Sequence, residues 1–150
     1  MRLSGNRVVL NLEALRHNLL VIHGWIKRHG ATWSVVTKAL CGHEDAIRVL
    51  NLLGVKSIAD SRLDNLEVAA RVDPDMETWY LRPPSPSAVE DVVRLAGVSL
   101  NTEAHVIRRL AQAAARQGVV HRVVIMVELG DLREGILPGT LPRFYQEVLG

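Results

Sequence analysis

Two short stretches of this 150-residue sequence carry side chains able to do chemistry on a small molecule. In the first, the apolar run Trp33-Ser34-Val35-Val36-Thr37 ends in Lys38, followed by Ala39, Cys41, Gly42 and His43. In its neutral form, a lysine amine at the mouth of a strand is the nucleophile that condenses with an aldehyde. The small Ala39 and Gly42 would let a flat ring approach the backbone. Position alone also allows, and favours, a solvated strand-end lysine. In the second stretch, Glu128-Leu129-Gly130-Asp131-Leu132-Arg133-Glu134-Gly135, two glycines bracket a tight polar loop. Its Arg133 guanidinium can grip a phenolate or a carboxylate. The competing reading, favoured on spacing alone, is a surface turn whose charges form solvated ion pairs. Cys41 with His43 falls short of a zinc set, having no third partner. His17, His23, His29, His105 and His121 sit in or beside amphipathic helices or at a strand start and are given no role.

Both stretches follow apolar runs, and those runs set the frame. Val8 to Leu12 reads as a short strand. Asn11 can cap a helix through Leu15, Leu19, Ile22 and Ile26 that stops at Gly30. From Thr32 onward, an apolar run, a polar turn, an amphipathic helix and a stop recur every 20 to 25 residues or so. The runs are Trp33 to Thr37, Val55 to Ala59, Thr78 to Leu81, Val98 to Leu100 and Val123 to Val127. The last is nearly all apolar, as for a strand covered on both faces. Ser61 with Asp64 and Ser87 with Glu90 have capping-box spacing, Thr102 can cap the helix holding Val106, Leu110 and Ala113, and Gly54 and Gly118 fall where helices should stop. A last helix is expected over Leu141 to Leu149.

Alternation of this kind gives an α/β fold with a parallel sheet, either open and doubly wound or part of a barrel, and the pattern does not choose between them. No G-x-G-x-x-G or P-loop run occurs, which weakens a nucleotide-binding reading. In a parallel α/β fold, function gathers just past the strands, here at Lys38, Ser61, Arg82, Asn101 and Glu128 to Gly135.

Composition is that of a globular chain, 48% hydrophobic with 18 basic and 16 acidic residues for a net charge of +2, scattered in a way that calls for no nucleic-acid partner. The single Cys41 makes no internal disulfide, which suits a reducing cytoplasm. The polar start, Met1 to Asn6, with its short apolar run Val8 to Leu10, reads as neither signal peptide nor membrane span.

Taken together the residues resemble the alanine racemase superfamily, the fold-type-III pyridoxal-phosphate enzymes, and most closely its alanine/ornithine racemase branch. The resemblance runs the whole chain. It rests on Val8-Val9-Leu10-Asn11-Leu12 with Arg16-His17-Asn18, Val36-Thr37-Lys38 with Cys41-Gly42-His43, Ala59-Asp60-Ser61-Arg62 with Asn65-Leu66, Leu81-Arg82-Pro83, Ser99-Leu100-Asn101 and, most specifically, Met126 to Gly135. It implies that Lys38 forms the internal aldimine with pyridoxal 5'-phosphate and acts as an acid/base group at the substrate α-carbon. It also implies that Arg133 approaches the cofactor's phenolic oxygen and helps place the substrate carboxylate. Many alanine racemases have a tyrosine near the position of Cys41, which is carried over as a cofactor contact, and a lysine at that of Met126. Both departures point to the ornithine-like branch.

The fold so implied is a partial TIM (β/α)8 barrel. Residues 13–150 would supply its first five βα units, and residues 1–12 a strand that joins a second β domain. A complete barrel takes about 250 residues, so the chain is expected to be a truncated part. The second base, the pyridine-nitrogen partner and the phosphate contacts would then lie beyond Gly150. The exposed barrel edge would favour a homodimer or other association. The expected function is racemisation of a small amino acid of the ornithine or alanine type. A non-catalytic homeostasis protein binding the same cofactor is an alternative, although such proteins carry a Gly-Glu-Asn turn where this chain has Ala59-Asp60-Ser61. A decarboxylase of the same fold and an inactive fragment are the others.

Overall fold

The computed structural model describes residues 9–150. Contacts divide the chain into a first unit ending at Trp33 and a second from Ser34 to Gly150. In the first, helix α1 spans Leu12–Arg28, and Asn11 caps it by accepting the Ala14 N–H at 3.0 Å. Lys27 and Arg28 lie in its last turn, where the helix dipole favours cations. Gly30 then takes a left-handed φ of 65°. Of the strand expected over Val8 to Leu12, Val8 lies outside the described residues, residues 9–11 are irregular and Leu12 is already helical. The Asn11 cap starts the helix there.

The second unit is built on five strands, β1 (Val35–Val36), β2 (Ser57–Asp60), β3 (Glu77–Tyr80), β4 (Val98–Asn101) and β5 (Arg122–Ile125), all parallel. Helices α2 (Glu44–Leu52), α3 (Leu63–Val72), α4 (Val89–Leu95) and α5 (Ala104–Gln117) connect them, and α6 (Leu141–Leu149) follows β5. The strand order is β1-β2-β3-β4-β5, with no reversal. A doubly wound sheet needs a point where the order turns back, whereas successive right-handed crossovers in unbroken order put every helix on one face. The helices pack in the same succession, α2 on α3, α3 on α4, α4 on α5 and α5 on α6. This is an arc of a (β/α) barrel, the choice that the sequence pattern left open.

Register shows which side chains face which layer. Ile58, Thr78, Tyr80, Ser99 and Asn101 share the helix side, where Tyr80 packs on a core of Val89, Val92, Val93, Val106, Leu110, Ala113 and Ala114. Each valine, isoleucine or leucine side chain so buried contributes about 1.5–3 kcal/mol. Ser57, Ala59, Glu77, Trp79, Val98 and Leu100 share the other face. Gly118 ends α5 with a φ of 67°, and Gly54 follows α2 with 88°, as expected of helix stops.

Two expectations need correction. β5 is an edge strand, so Val123 and Val124 stay 37% and 38% exposed rather than covered on both faces. Three helix starts lack the expected caps: Arg62, Ala88 and Glu103 stand at the N-cap positions of α3, α4 and α5, with no side-chain capping bond. Before α3 the task passes to Asp60, whose Oδ1 accepts the Arg62 N–H at 3.0 Å, and Ser87 bonds Ser85 instead, at 3.1 Å. Among the described residues no helix is long and apolar enough to cross a membrane.

Candidate active site

Because the strands are parallel, every strand-to-helix turn emerges at one end of the sheet, and there the sequence-derived residues stand. The Thr37 N–H continues the β1–β2 ladder to Ala59 O at 2.9 Å, after which Lys38–Leu40 form one 3-10 turn. That turn is closed by Leu40 N–H to Thr37 O at 2.8 Å and Cys41 N–H to Lys38 O at 3.3 Å. Cys41 and Gly42 both take left-handed backbone angles, φ 50° and 68°. Gly42 has no room for a side chain, since a Cβ there would sit 2.6 Å from Asn65 Oδ1.

Lys38 is exposed, and its amine makes no hydrogen bond or ion pair among the described residues. An unpaired amine beside the small Ala39 and a tight turn fits a group that attaches through a carbonyl carbon. The exposed Cys41 thiol lies one turn further on, its Sγ 3.8 Å from Lys38 O.

Beneath this turn lies a polar cluster that sequence reasoning missed. Asp60, the last residue of β2, is wholly buried, as are Thr37 and most of Asn65. Its Oδ2 accepts the Thr37 hydroxyl at 3.0 Å, while Oδ1 accepts the Arg62 N–H at 3.0 Å and the Asn65 amide at 3.1 Å. Its signals were a polar residue at each of two adjoining strand ends and the place of Thr37, Asp60 and Asn65 in the motifs that carry the resemblance, neither of which pairs them. β2 ends at Asp60, one residue past its apolar run, so Asp60 counted neither in that run nor among the residues past the strand. Ser61 itself is half-buried, and Arg82 is exposed.

The second stretch forms a closed loop after β5. Glu128 N–H donates to Ile136 O and Ile136 N–H to Met126 O, both at 2.9 Å, so the loop is pinched at its base. Within it, Glu128 Oε1 accepts the N–H groups of Gly130 and Leu132, the latter at 3.1 Å, and these bonds hold its carboxyl below the usual carboxylate range. Gly135 is required here. Its φ is 139°, and a Cβ would lie 2.4 Å from Glu128 N. Arg133 projects from this loop, exposed and without an ion pair among the described residues. Lys38 and Arg133 thus share the carboxyl end of the sheet but follow opposite edge strands. The strands and the two turns do not place them side by side.

At the end of β4, Asn101 is 1% exposed and gives its amide N–H groups to Ser99 O at 2.8 Å and Ser99 Oγ at 3.0 Å, leaving its own Oδ1 without a partner. By register it faces the helix layer and not the surface that carries Trp79 and Leu100.

Comparison with known proteins places this geometry. Residues 10–150 match the family described as alanine racemase, N-terminal domain. Ornithine racemase of Acetoanaerobium sticklandii is 36% identical over 129 residues, which are 86% of this chain. The match spans only 36% of that relative's own length. Among solved structures, D-threonine aldolase from Filomicrobium marinum superposes with a TM-score of 0.76 at 19% identity, over 94% of this chain and 39% of that one. Alanine racemase from Bartonella henselae with covalently bound pyridoxal phosphate gives 0.69 at 16% identity, over 92% of this chain and 41% of its own. The two structures share the fold.

Proposed function

The chain belongs to the alanine racemase N-terminal domain family, and from that premise we propose that it carries the lysine half of an amino-acid racemase site that uses pyridoxal phosphate. The observation that carries the reading is Lys38, an amine without a partner among the described residues at the carboxyl end of a parallel strand, in a chain 36% identical over 129 residues to an ornithine racemase. Lys38 would hold the cofactor through its aldehyde carbon, and its amine, when free, would hold or return a proton at the substrate α-carbon. Pyridoxal phosphate, when bound, supplies the electron sink for the charge left at that carbon.

Arg133, with five fixed N–H donors, binds an oxyanion, either the cofactor phenolate or the substrate carboxylate. The Glu128 loop gives that side chain a rigid base. Cys41, which closes the lysine turn with an exposed thiol, would be a further cofactor contact. The substrate is ornithine or a similar basic or small amino acid, by likeness to the curated relative. The second acid/base group and the phosphate contacts come from βα units outside these 150 residues, and the segment before α1 joins a second β domain. A second copy or another chain covers the open barrel edge, and the lone cysteine suits the cytoplasm.

The test is to incubate the chain with pyridoxal phosphate, reduce with borohydride and locate the adduct by peptide mass, with Lys38→Ala as control. A stoichiometric adduct confined to Lys38 supports the reading. Labelling spread evenly over the lysines removes it.

A further inference from the structure

The cluster under the lysine turn has a feature that packing does not explain. Asp60 is a wholly buried carboxylate, and its partners among the described residues are a hydroxyl, a backbone N–H and an amide, with no cation. Burying such a group is costly, and converging donors only offset that cost. An apolar side chain would fill the same space more simply. What the carboxylate does that an apolar group would not is join two segments, and the segments it joins flank Lys38.

On one side it holds Thr37, the residue before the lysine. The Thr37 hydroxyl has one proton and two acceptors in reach, Asp60 Oδ2 at 3.0 Å and Ala59 O at 3.4 Å. Ala59 O already accepts the Thr37 N–H at 2.9 Å, so the hydroxyl donates its hydrogen bond to the nearer carboxylate. On the other side Asp60 fixes Asn65 at 3.1 Å, and the Asn65 side chain fills the space beside Gly42 where a Cβ would sit. The turn that presents Lys38 is therefore held in front, through Thr37, and behind, through Asn65 against Gly42.

We propose that Asp60 is a positioning residue for Lys38, fixing through Thr37 and Asn65 the turn from which the amine is presented to the cofactor aldehyde. The proposal rests on the reading of Lys38 as the cofactor lysine. Its consequence is selective. The sequence has three lysines, Lys27, Lys38 and Lys56, and only Lys38 sits on this clamp. Loss of the Thr37 bond should slow attachment at Lys38 and leave the other two as they were.

The experiment uses the full chain as wild type, Thr37→Val, Thr37→Ser and Asn65→Ala. Each is incubated with pyridoxal phosphate, quenched with borohydride at timed intervals and read by peptide mass at each lysine, with the thermal midpoint recorded in parallel. Thr37→Val keeps the shape and removes the donor, so it should slow labelling of Lys38 about tenfold, as expected when one orienting hydrogen bond is lost, while Lys27 and Lys56 label as before. Thr37→Ser restores the hydroxyl and the rate, and Asn65→Ala slows Lys38 in the same selective way. Thr37→Val labelling Lys38 at the wild-type rate overturns the positioning role alone, as does a fall at all three lysines together with a lowered midpoint. Wild-type Lys38 labelling no faster than Lys27 and Lys56 overturns the cofactor reading and the positioning role with it.

Discussion

The Arg122 guanidinium on β5 reaches across β4 to the carboxylate of Glu77 on β3. The same carboxylate accepts the Ser57 hydroxyl at 2.7 Å and the Trp79 indole N–H at 3.0 Å, and Ser57 bonds Ser34 at 2.5 Å. Ser57, Glu77 and Arg122 each open their strand, so the network lies at the amino end of the sheet, opposite Lys38. In parallel barrels that end serves stability and the carboxyl end serves chemistry. A link between non-adjacent strands on the concave face holds the curl of the arc.

This network makes stability depend on acid in a defined window. Its hydrogen bonds, led by that from Arg122, lower the Glu77 carboxyl from 4.5 to about 2. A depressed carboxylate stabilises the fold above its unfolded value, and that contribution is lost as pH falls from about 4.5 towards about 2. The side chains remain 36% and 57% exposed, so solvent screens the pair, and the effect is on the order of 1 kcal/mol. Denaturant titrations of wild type and Glu77→Gln from pH 6 to about 2 should converge at the acid end. Parallel curves would show that Glu77 contributes nothing.

His121 gives a second pH dependence, higher up. Its Nδ1 faces Ala96 O at 2.9 Å, which makes that nitrogen the donor, so Nε2 accepts the Ser99 hydroxyl at 2.8 Å. Ser99 Oγ in turn accepts from Asn101. Burial lowers the His121 pKa from 6.5, and the neighbouring Arg122 lowers it further, against the opposing effect of the Ala96 bond. The unfolded chain therefore takes up the proton first, and stability should fall as pH drops below 6.5. NMR titration should give His121 a midpoint below 6.5, with its neutral form protonated on Nδ1. Ser99→Ala should cost about 1–3 kcal/mol by orphaning partners at both ends.

The elements were legible because each strand is a compact apolar run between polar turns. Val98 and Val123 fix β4 and β5 to within two residues of their observed bounds, and Asn11, Gly54 and Gly118 mark helix ends where they were expected. The barrel arc was not legible, since strand order is a long-range property that no local period encodes. Lys38 and the Arg133 loop could be found as residues past strands. The support beneath them could not, because pairing Thr37 with Asp60 requires the β1–β2 register. The missed caps share that cause: Asp60, placed by the sheet, takes the Arg62 N–H before Ser61 can act as a cap.

The Arg133 loop should depend on Gly135 far more than helix α5 depends on its own terminal glycine. At Gly135 a methyl group meets Glu128 N at 2.4 Å and the backbone is at φ 139°, so Gly135→Ala must open the loop base. Strain of this kind costs about 1–3 kcal/mol or more. At Gly118, with φ 67° and nothing within 4 Å, only the left-handed backbone resists; Gly118→Asn should cost a few tenths of a kcal/mol or so. Thermal unfolding of the two variants side by side checks the contrast. Equal midpoints would mean that the loop gives way without loss. Gly135→Ala should also release the amides of Gly130 and Leu132 to faster hydrogen exchange, because the Glu128 carboxylate that binds them would move.

The β5 edge carries its own consequence. No described strand pairs with its outer side, and nearby Val120, Leu129 and Leu132 are 90%, 85% and 87% exposed. An apolar strand with free N–H and C=O groups is a template for another strand. The chain should therefore associate as concentration rises, by adding a second copy or a further βα unit at that edge. Lysine on an edge strand opposes such pairing, and Val124 is 38% exposed, so Val124→Lys should shift sedimentation towards the monomer without lowering secondary-structure content. If wild type and variant sediment alike across a roughly hundredfold concentration range, which spans about 2.8 kcal/mol of association free energy, association does not run through β5. The same variant should leave borohydride-trapped labelling of Lys38 unchanged, because Lys38 follows β1 at the opposite edge of the sheet.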